Sequence, residues 1–320
     1  MTRSLVLTLV LLFSVGAHAW GKRGHTIVCE TAGNLAAGVD KKNEFLAAHS
    51  FDLGFYCNVP DLVWKHPKTY QLEKNNHFMD LEIFDRALGE KTKDAFSLDR
   101  VAFDKAHPEV KEEAGRSYWR VRELEVSLTA LTDALKKGIG DTDKRHDVQL
   151  DWLVLAGAIG HYIGDLSQPL HVTENYDGQM SDQKGIHSFY EEAIVDELSR
   201  VPSPNALAGD VGREAAKEWP GYQKRVAKLS TLELMMDLAK TSNAGLAKLL
   251  AADKKTGRSD VSKASKAHRE QIVSRLANGA MTLAELWKRN TGMDFDEKKF
   301  YRFDGAPAFR AVPSAAASKD

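Results

Sequence analysis

Two histidine–carboxylate pairs at helical spacing are the residues of this chain best suited to chemistry. His161 and Asp165 lie four residues apart, and His187 and Glu191 repeat that spacing farther along. Residues four apart leave the same face of an α-helix, so each pair can direct one imidazole and one carboxylate at a single cation. Both groups are ordinary zinc ligands. Taken alone, either pair is more often a surface ion pair that stabilises a helix by about 0.3 kcal/mol.

The first pair lies in a strongly apolar stretch. Most residues from Trp152 to Asp165 are apolar, which is typical of a helix at the centre of a protein. A buried imidazole and a buried carboxylate need polar partners, and a metal ion provides one to both. Pro169 ends the helical pattern, and His171 adds a third candidate ligand directly after it.

Further candidate ligands occur in loop-like surroundings. Asp61 follows Pro60, His77 lies in an Asn-His-Phe-Met-Asp segment, and His25 lies in a glycine-rich segment that begins at Trp20. A donor set of nitrogen and oxygen without cysteine thiolate suits catalytic zinc ions with open positions rather than a closed structural site. The remaining histidines have no evident partner and are expected on the surface or in loops: His49, His66, His107, His146 and His268.

The amino-terminal segment bears on this metal chemistry. Residues 1–19 have a basic start, a short apolar core and an Ala17-His18-Ala19 exit, which predicts a secretory signal peptide. The alternative is an amphipathic first helix. The apolar core is shorter than the roughly 20 residues of a membrane span. Cleavage after Ala19 would make Trp20 the first residue, and its free amine, with a pKa near 8, and its carbonyl could then chelate a metal ion.

The elements that must position these residues are helices. Amphipathic or apolar helical patterns cover 121–136, 152–165, 188–198, 231–250 and 266–289, whereas 58–80 and 169–185 have the composition of loops. Strand patterns are scarce, so we expect an all-α fold with one catalytic domain over 20–304 and a disordered tail over 305–320. We expect a monomeric, secreted or periplasmic protein without a membrane span. The net charge of −1 gives no global basic field, although bound metal ions would dominate the local field of a site.

Four motifs resemble one superfamily of enzymes. They are W-G-x-x-G-H from Trp20, P-D before H-F-x-D, the run H-Y-I-G-D-L-S-Q-P-L-H from His161, and H-S-x-x-E from His187. The set is similar to the trinuclear zinc superfamily, which holds the single-strand nucleases of the S-one/P-one type and the bacterial zinc phospholipases C. The resemblance spans residues 20–191, and it implies an all-α fold with three zinc ions.

The resemblance also implies a role for each candidate ligand. One zinc of a close pair would bind Asp61, His77 and His161, and its partner would bind His25 with the amine and carbonyl of Trp20. Asp165 would bridge the two ions. A more separated third zinc would bind His171, His187 and Glu191.

The resemblance also indicates three residues that would contact the substrate. Phe78 resembles an aromatic residue on which a base stacks, worth about 1–3 kcal/mol, although ordinary packing beside a ligand is an equal alternative. Asp80 resembles the residue that hydrogen-bonds that base. Trp64 stands where many nucleases have an arginine that contacts phosphate, and Lys65 could replace that arginine as a point charge. Asp61, Asp165 and Lys65 are therefore the expected catalytic residues.

The two branches of the superfamily leave conflicting marks. The short step from Trp20 to His25 resembles the nucleases, whereas Glu191 and the short segment after His171 resemble the phospholipases. We expect a zinc-dependent endonuclease and 3′-nucleotidase that acts on single-stranded DNA or RNA or on a nucleotide and leaves 5′-phosphates. The alternative substrate is a phospholipid head group. A non-catalytic zinc-binding protein is a further alternative, and the complete ligand set argues against it.

The chain has two cysteines, Cys29 and Cys57. An even count in an exported protein permits one disulfide. Two buried thiols are the alternative, because the sequence does not place the two Cα atoms within bonding distance.

Overall fold

The computed structural model describes residues 20–139, 142–200, 206–293 and 295. The predicted signal peptide (1–19) and tail (305–320) lie outside the described residues. The predicted all-α fold is confirmed, because the described residues form helices and no strand beyond an isolated bridge between Met79 and Gly115. The α-helices are α1 Gly21–Ala37, α2 Glu44–Ala48, α3 Ser50–Tyr56, α4 Tyr70–Glu73, α5 Leu81–Leu88, α6 Thr92–Ser97, α7 Arg100–Ala106, α8 Ser117–Lys137, α9 Thr142–Ser167, α10 Ile186–Ser188, α11 Val195–Ser199, α12 Leu207–Val226, α13 Thr231–Asn243, α14 Leu246–Thr256 and α15 Val261–Arg289.

Helix α9 is the centre of the fold. Helices α1, α3, α8, α13 and α15 pack around it. Its apolar side chains between Trp152 and Leu166 are almost all fully buried, as the apolar stretch predicts. The two ligand candidates on this helix, His161 and Asp165, are also fully buried. The helix therefore carries a polar pair into the core of the protein.

Glycines along α9 allow its neighbours to approach closely. A Cβ atom at Gly160 would lie 2.2 Å from the sulfur of Cys29, and one at Gly164 would lie 2.8 Å from Nδ1 of His25. Real Cβ atoms essentially never come closer than 3.0 Å to such atoms. These glycines let the disulfide and the His25 ring lie directly against the central helix.

Cys29 and Cys57 form a disulfide, which resolves the alternative that the sequence left open. The bridge joins α1 to the residue that follows α3, with a Cα–Cα distance of 6.4 Å. Both half-cystines are fully buried. No described helix combines the length and the apolar composition needed to cross a bilayer.

Some sequence-based boundaries were wrong. The helix expected over 231–250 is two helices, α13 and α14, which are separated at Ala244 and Gly245. The carbonyl oxygen of Gly245 accepts a hydrogen bond from the Gln271 side chain (2.6 Å), so the break is fixed by a contact with α15. The expected loop over 58–80 contains a π-helix, Pro60–Trp64, as well as α4 and a 3-10 turn, Lys74–Asn76. Helices α1 to α7 and α12 were not predicted.

Two histidines expected on the surface are buried. His49 is fully buried, and its Nδ1 lies 2.9 Å from a carboxylate oxygen of Asp52. His268 is 1% exposed and packs edge-on against the ring of Tyr190. Local sequence gave no signal for either position, because their burial results from packing between helices distant in the chain.

Candidate metal centre

Four separate elements bring five predicted ligands together. His25 lies in the first turns of α1, Asp61 in the π-helix, His77 directly after the 3-10 turn, and His161 and Asp165 in α9. We call these five residues the assembled cluster. Their ligand atoms fall into two overlapping groups, each with all atoms within 4.8 Å: His25, Asp61 and His161, and His77, His161 and Asp165.

Within the assembled cluster, nitrogen and oxygen atoms face one another at short range. Nε2 of His161 lies 3.0 Å from Nδ1 of His77. Asp61 Oδ1 lies 3.6 Å from that His161 nitrogen and 3.7 Å from Nδ1 of His77. The rings of His25 and His161 stack with their centroids 3.9 Å apart. All of these side chains are almost completely buried.

Asp165 presents its two oxygens to different partners. Oδ2 lies 3.1 Å from His77 Nδ1 and 3.6 Å from His161 Nε2. Oδ1 lies 3.5 Å from His25 Nε2. One carboxylate oxygen thus faces His77 and His161, and the other faces His25. This is the geometry that a bridging ligand requires.

The other three predicted ligands form a compact group, which we call the local cluster: His171, His187 and Glu191. Their ligand atoms also lie within 4.8 Å of one another. His187 Nε2 lies 2.9 Å from both His171 Nε2 and Glu191 Oε2, and Gln168 donates a hydrogen bond to the same oxygen (3.1 Å). Glu191 lies in a π-helix, Phe189–Ile194, that continues α10.

Hydrogen bonds determine which nitrogens of the local cluster carry protons. His171 Nδ1 lies 2.6 Å from the carbonyl oxygen of His77, and His187 Nδ1 lies 2.7 Å from that of Tyr176. A carbonyl only accepts, so both Nδ1 atoms carry hydrogen. In the neutral rings each Nε2 atom then has a free lone pair. These two lone pairs face each other and the carboxylate of Glu191. Converging acceptors need a cation between them, so these residues fit a zinc ion.

The assembled cluster meets the same test. His161 Nδ1 donates to the carbonyl oxygen of Cys57 (2.8 Å), which leaves the Nε2 lone pair directed at Asp61 and Asp165. Neither ring nitrogen of His25 makes a hydrogen bond within the described part of the chain, although both are buried. Such buried polar atoms are costly unless a partner binds them.

The two clusters differ in their protonation. Burial lowers the pKa values of His25, His77 and His161 well below the usual range. Burial, followed by the charge of Asp61, raises the pKa of Asp165 well above its usual range. The assembled cluster therefore disfavours charge on its own ligands.

In the local cluster the charges compensate. Burial alone would lower the pKa of His187, but the Glu191 carboxylate and the Tyr176 carbonyl outweigh it and raise this pKa. Burial alone would raise the pKa of Glu191, but His187 and His171 lower it to about 2. The two shifts have opposite signs, so each of these groups favours charge on the other.

Trp20 lies beside the assembled cluster. Its indole is fully buried and donates a hydrogen bond to Ser167 Oγ at the end of α9 (2.9 Å). Its backbone has φ +41°, in the left-handed region, directly before α1. The carbonyl oxygen of Trp20 accepts the helical hydrogen bond of Gly24 (3.1 Å). The predicted amine ligand depends on cleavage after Ala19, which lies outside the described residues.

Lys65 lies close to the metal ligands, as expected, but is paired with one of them. Its Nζ is 2.6 Å from Asp61 Oδ1. An ammonium group thus contacts a carboxylate that is predicted to bind zinc. Trp64, the neighbouring residue, lies beneath the guanidinium of Arg120, which is 4.9 Å from the ring centroid.

The two predicted base-binding residues lie next to His77. Phe78 is half-buried, and Asp80 is 6% exposed with one carboxyl oxygen that makes no hydrogen bond in the described structure. Burial and the charges of Glu82 and Glu174 raise the pKa of Asp80 to about 8. A neutral carboxyl group both donates and accepts, which suits the edge of a nucleobase.

Sequence reasoning missed Gly115, which positions Phe78. Gly115 has φ +92°, and a Cβ atom there would lie 2.0 Å from the carbonyl oxygen of Phe78. Any other residue would therefore displace the segment that carries His77, Phe78 and Asp80. The available signal was an isolated glycine before a long amphipathic helix, which by itself does not distinguish a turn from a close contact.

A comparison with protein families gives one match. The family described as S1/P1 Nuclease matches residues 20–290, which is most of the chain. No curated protein and no solved structure gives a significant match. The matched range begins at Trp20 and includes all nine predicted metal ligands.

Proposed function

Since the chain belongs to the S1/P1 nuclease family, a family of zinc-dependent phosphodiesterases within the zinc phospholipase C superfamily, we propose that it cleaves single-stranded nucleic acid. The proposed activity is that of an exported endonuclease and 3′-nucleotidase that acts on DNA or RNA and leaves 5′-phosphates. The proposed cofactor is three zinc ions, two in the assembled cluster and one in the local cluster.

The observation that carries this proposal is the convergence of buried lone pairs around Asp165. Its two oxygens face two different sets of imidazoles, and the local cluster adds a third set nearby, because His171 Nδ1 donates to the carbonyl of His77. Bound zinc ions would supply Lewis-acid activation of water and neutralisation of phosphate charge. The residues that would hold those ions are almost completely buried.

The chain's own residues have distinct proposed roles. Asp165 would be a ligand of both ions of the assembled cluster, and Asp61 would be a ligand of one of them. Lys65 contributes a positive charge at the same edge of the cluster, where a phosphate oxygen would approach. A zinc ion at Asp61 would compete with the Lys65 ammonium, which would free that ammonium to bind substrate.

Preference for single strands is proposed to come from Phe78 and Asp80. A base must leave its stack before an aromatic side chain can stack on it. The unpaired carboxyl oxygen of Asp80 lies two residues from Phe78 and can accept or donate a hydrogen bond to that base. The two residues lie one and three positions after His77, so base binding would place the adjacent phosphate near the assembled cluster.

A phospholipid is the second candidate substrate, because a glutamate at position 191 is more typical of the phospholipase branch. The two candidates differ in what lies beside the scissile phosphate, a planar base in a nucleic acid and acyl chains in a phospholipid. The comparison must therefore be made by assay, with both kinds of substrate presented to the same preparation.

The test uses zinc-loaded protein that begins at Trp20. Hydrolysis of single-stranded DNA, RNA, a 3′-nucleotide and phosphatidylcholine is measured side by side, and Asp165→Asn serves as the matched control for contaminating enzymes. We expect turnover of the nucleic acids and the 3′-nucleotide, with 5′-phosphate products. Turnover of phosphatidylcholine alone would transfer the proposal to the phospholipase branch, and no turnover of any substrate would refute it.

A further inference from the structure

A buried carboxylate outside the predicted ligand set lies against one of the ligands. Glu73, at the end of α4, is 5% exposed, and its Oε1 is 3.4 Å from Nε2 of His77. The other ring nitrogen of His77, Nδ1, faces Asp165 Oδ2 at 3.1 Å. The imidazole ring is therefore held between a carboxylate of the assembled cluster and a carboxylate behind it.

The position of one proton decides which nitrogen of His77 can bind a metal ion. A neutral imidazole carries a single proton, so a lone pair on Nδ1 requires the proton on Nε2. Nε2 is buried and makes no well-formed hydrogen bond within the described chain. Glu73 Oε1 is an acceptor within reach of that N–H, and it stabilises this tautomer over the alternative in which Nδ1 carries the proton.

Glu73 is itself held by three donors. The hydroxyl of Tyr162 donates to Oε1. The side-chain amide of Asn76 donates to Oε2 (3.1 Å), and so does the guanidinium of Arg120 (3.5 Å). Tyr162 follows His161 in α9, so its hydroxyl ties Glu73 to the helix that carries two predicted ligands. The carboxylate is fixed in place before any metal ion binds.

We propose that Glu73 is a positioning residue that fixes the tautomer and the orientation of His77 for zinc binding. This inference rests on the proposed function only in that His77 is taken to bind zinc. Carboxylates that accept the second N–H of a metal-bound histidine raise its basicity, and their loss costs about 10–100-fold in metal affinity. Glu73 is in none of the groups of candidate metal ligands and contacts His77 on the ring nitrogen that faces away from Asp165, so its proposed effect passes through His77.

The substitution Glu73→Gln tests this role with little change of volume. Because two donors face Oε2, the glutamine would direct its carbonyl oxygen at Asn76 and Arg120 and its NH2 group at His77. Two donors would then oppose each other, which favours the wrong tautomer of His77. The matched control is Glu123→Gln, since Glu123 pairs with the same Arg120 (3.8 Å) but lies half-exposed on α8.

The measurement is zinc bound per chain across a series of buffered free zinc concentrations. We expect one binding step of Glu73→Gln to shift to about 10–100-fold higher zinc, with Glu123→Gln unchanged within twofold. A histidine ring nitrogen NMR spectrum of the zinc-loaded protein should show His77 with its proton on Nε2. A Glu73→Gln binding curve that coincides with the wild type, or a proton on Nδ1, would overturn the inference.

A milder variant keeps the test decisive if Glu73→Gln unfolds. Tyr162→Phe removes one donor to Glu73 and leaves its charge, so we expect a smaller shift in the same direction with full helicity by circular dichroism. No shift in a folded Tyr162→Phe, together with an unfolded Glu73→Gln, would count against the positioning role. A shifted binding step in protein that turns over no phosphodiester would refute the proposed function and still support the role of Glu73.

Discussion

The assembled cluster and the local cluster use the same ligand types but depend on the fold in different ways. The local cluster draws His171, His187 and Glu191 from 21 consecutive residues, 171–191. The assembled cluster draws its ligands from α1, a π-helix, the residue after a 3-10 turn, and α9. Its geometry exists only when these four elements are packed together. Tertiary structure therefore controls one cluster far more than the other.

The two clusters also differ in the pKa shifts of their ligands. In the local cluster His187 and Glu191 compensate each other, since the pKa of the first is raised and that of the second is lowered to about 2. In the assembled cluster burial lowers the pKa values of the histidines and raises that of Asp165. A cation is therefore needed more by the assembled cluster, and perturbations of this cluster should have the larger effects.

The largest effect is expected at Asp165. Asp165→Asn removes the charge shared by two imidazole sets, so kcat/KM for single-stranded DNA should fall on the order of 10³-fold. Glu191→Asp keeps the carboxylate and only shortens one side chain of the local cluster, so it should lower kcat/KM about 10-fold. Steady-state kinetics with zinc-loaded, chelator-buffered protein measures both. Similar and mild losses in the two variants would remove the distinction between the clusters.

Retention of one extra residue before Trp20 should have the next largest effect. A preceding peptide bond removes the predicted amine ligand beside His25, and we expect a loss of about 10²-fold in activity with unchanged helicity. Only the assembled cluster should lose zinc. The control is the same chain with the extra residue removed by a protease. Full activity of the extended form would contradict the terminal ligand.

Removal of the disulfide should lower the free energy of unfolding. The bridge closes a 28-residue separation, and the double substitution Cys29→Ala with Cys57→Ala should cost roughly 3 kcal/mol in free energy of unfolding. Cys29 lies one turn after His25, and Cys57 lies four residues before Asp61, so the bridge joins two elements of the assembled cluster. Denaturant titration measures the loss, and zinc analysis should show weaker binding in that cluster only. Equal weakening of both clusters would argue that the bridge acts on the fold as a whole.

The sequence predicted the residues of both clusters better than it predicted the elements around them. Histidine–carboxylate spacing and the apolar stretch of α9 are local signals, and they led to His161 and Asp165 directly. Trp20, His25 and Asp61 were candidates with weaker local signals, and the resemblance to a zinc superfamily gave each of them a role. The structure then brought the side chains of His25 and Asp61 to the same site as His161.

The features that the sequence did not predict are contacts, most of them between segments distant in the chain. Glu73 lies four residues before His77, a carboxylate–histidine spacing that the sequence analysis did not use, and the fold shows its carboxylate against the His77 ring. The contact of Gly164 with His25 and that of Gly115 with Phe78 are likewise visible only in the fold. The break at Gly245 was missed because helical periodicity continues across it. Hydrophobic periodicity indicates the local preference of the chain for a helix, whereas these features arise from contacts between side chains in the folded protein.

The smallest effect is expected at Asp80. Its neighbour Met79 donates a backbone hydrogen bond to the carbonyl oxygen of His171 (2.9 Å), which links the segment after His77 to the local cluster. Its pKa of about 8 means that the folded protein holds a proton which the unfolded chain releases above about pH 4. The associated stability is therefore complete below about pH 4 and is lost as the pH rises through 8. Asp80→Asn cannot ionise, so its melting temperature should fall less than that of the wild type between pH 5 and pH 8.5, by on the order of 5 °C.

Asp85→Asn is the control for Asp80→Asn, because Asp85 is exposed on α5, the helix that begins directly after Asp80. Its melting temperature should follow that of the wild type across the pH range. Glu82 is one of the charges that raises the pKa of Asp80. It accepts hydrogen bonds from Thr173 and from the backbone of Glu174, two and three residues after His171 of the local cluster. A parallel pH dependence in the wild type and Asp80→Asn would mean that this carboxyl group is ionised in the folded protein. The base-binding role of a neutral Asp80 would then fail, while the two clusters would remain distinct.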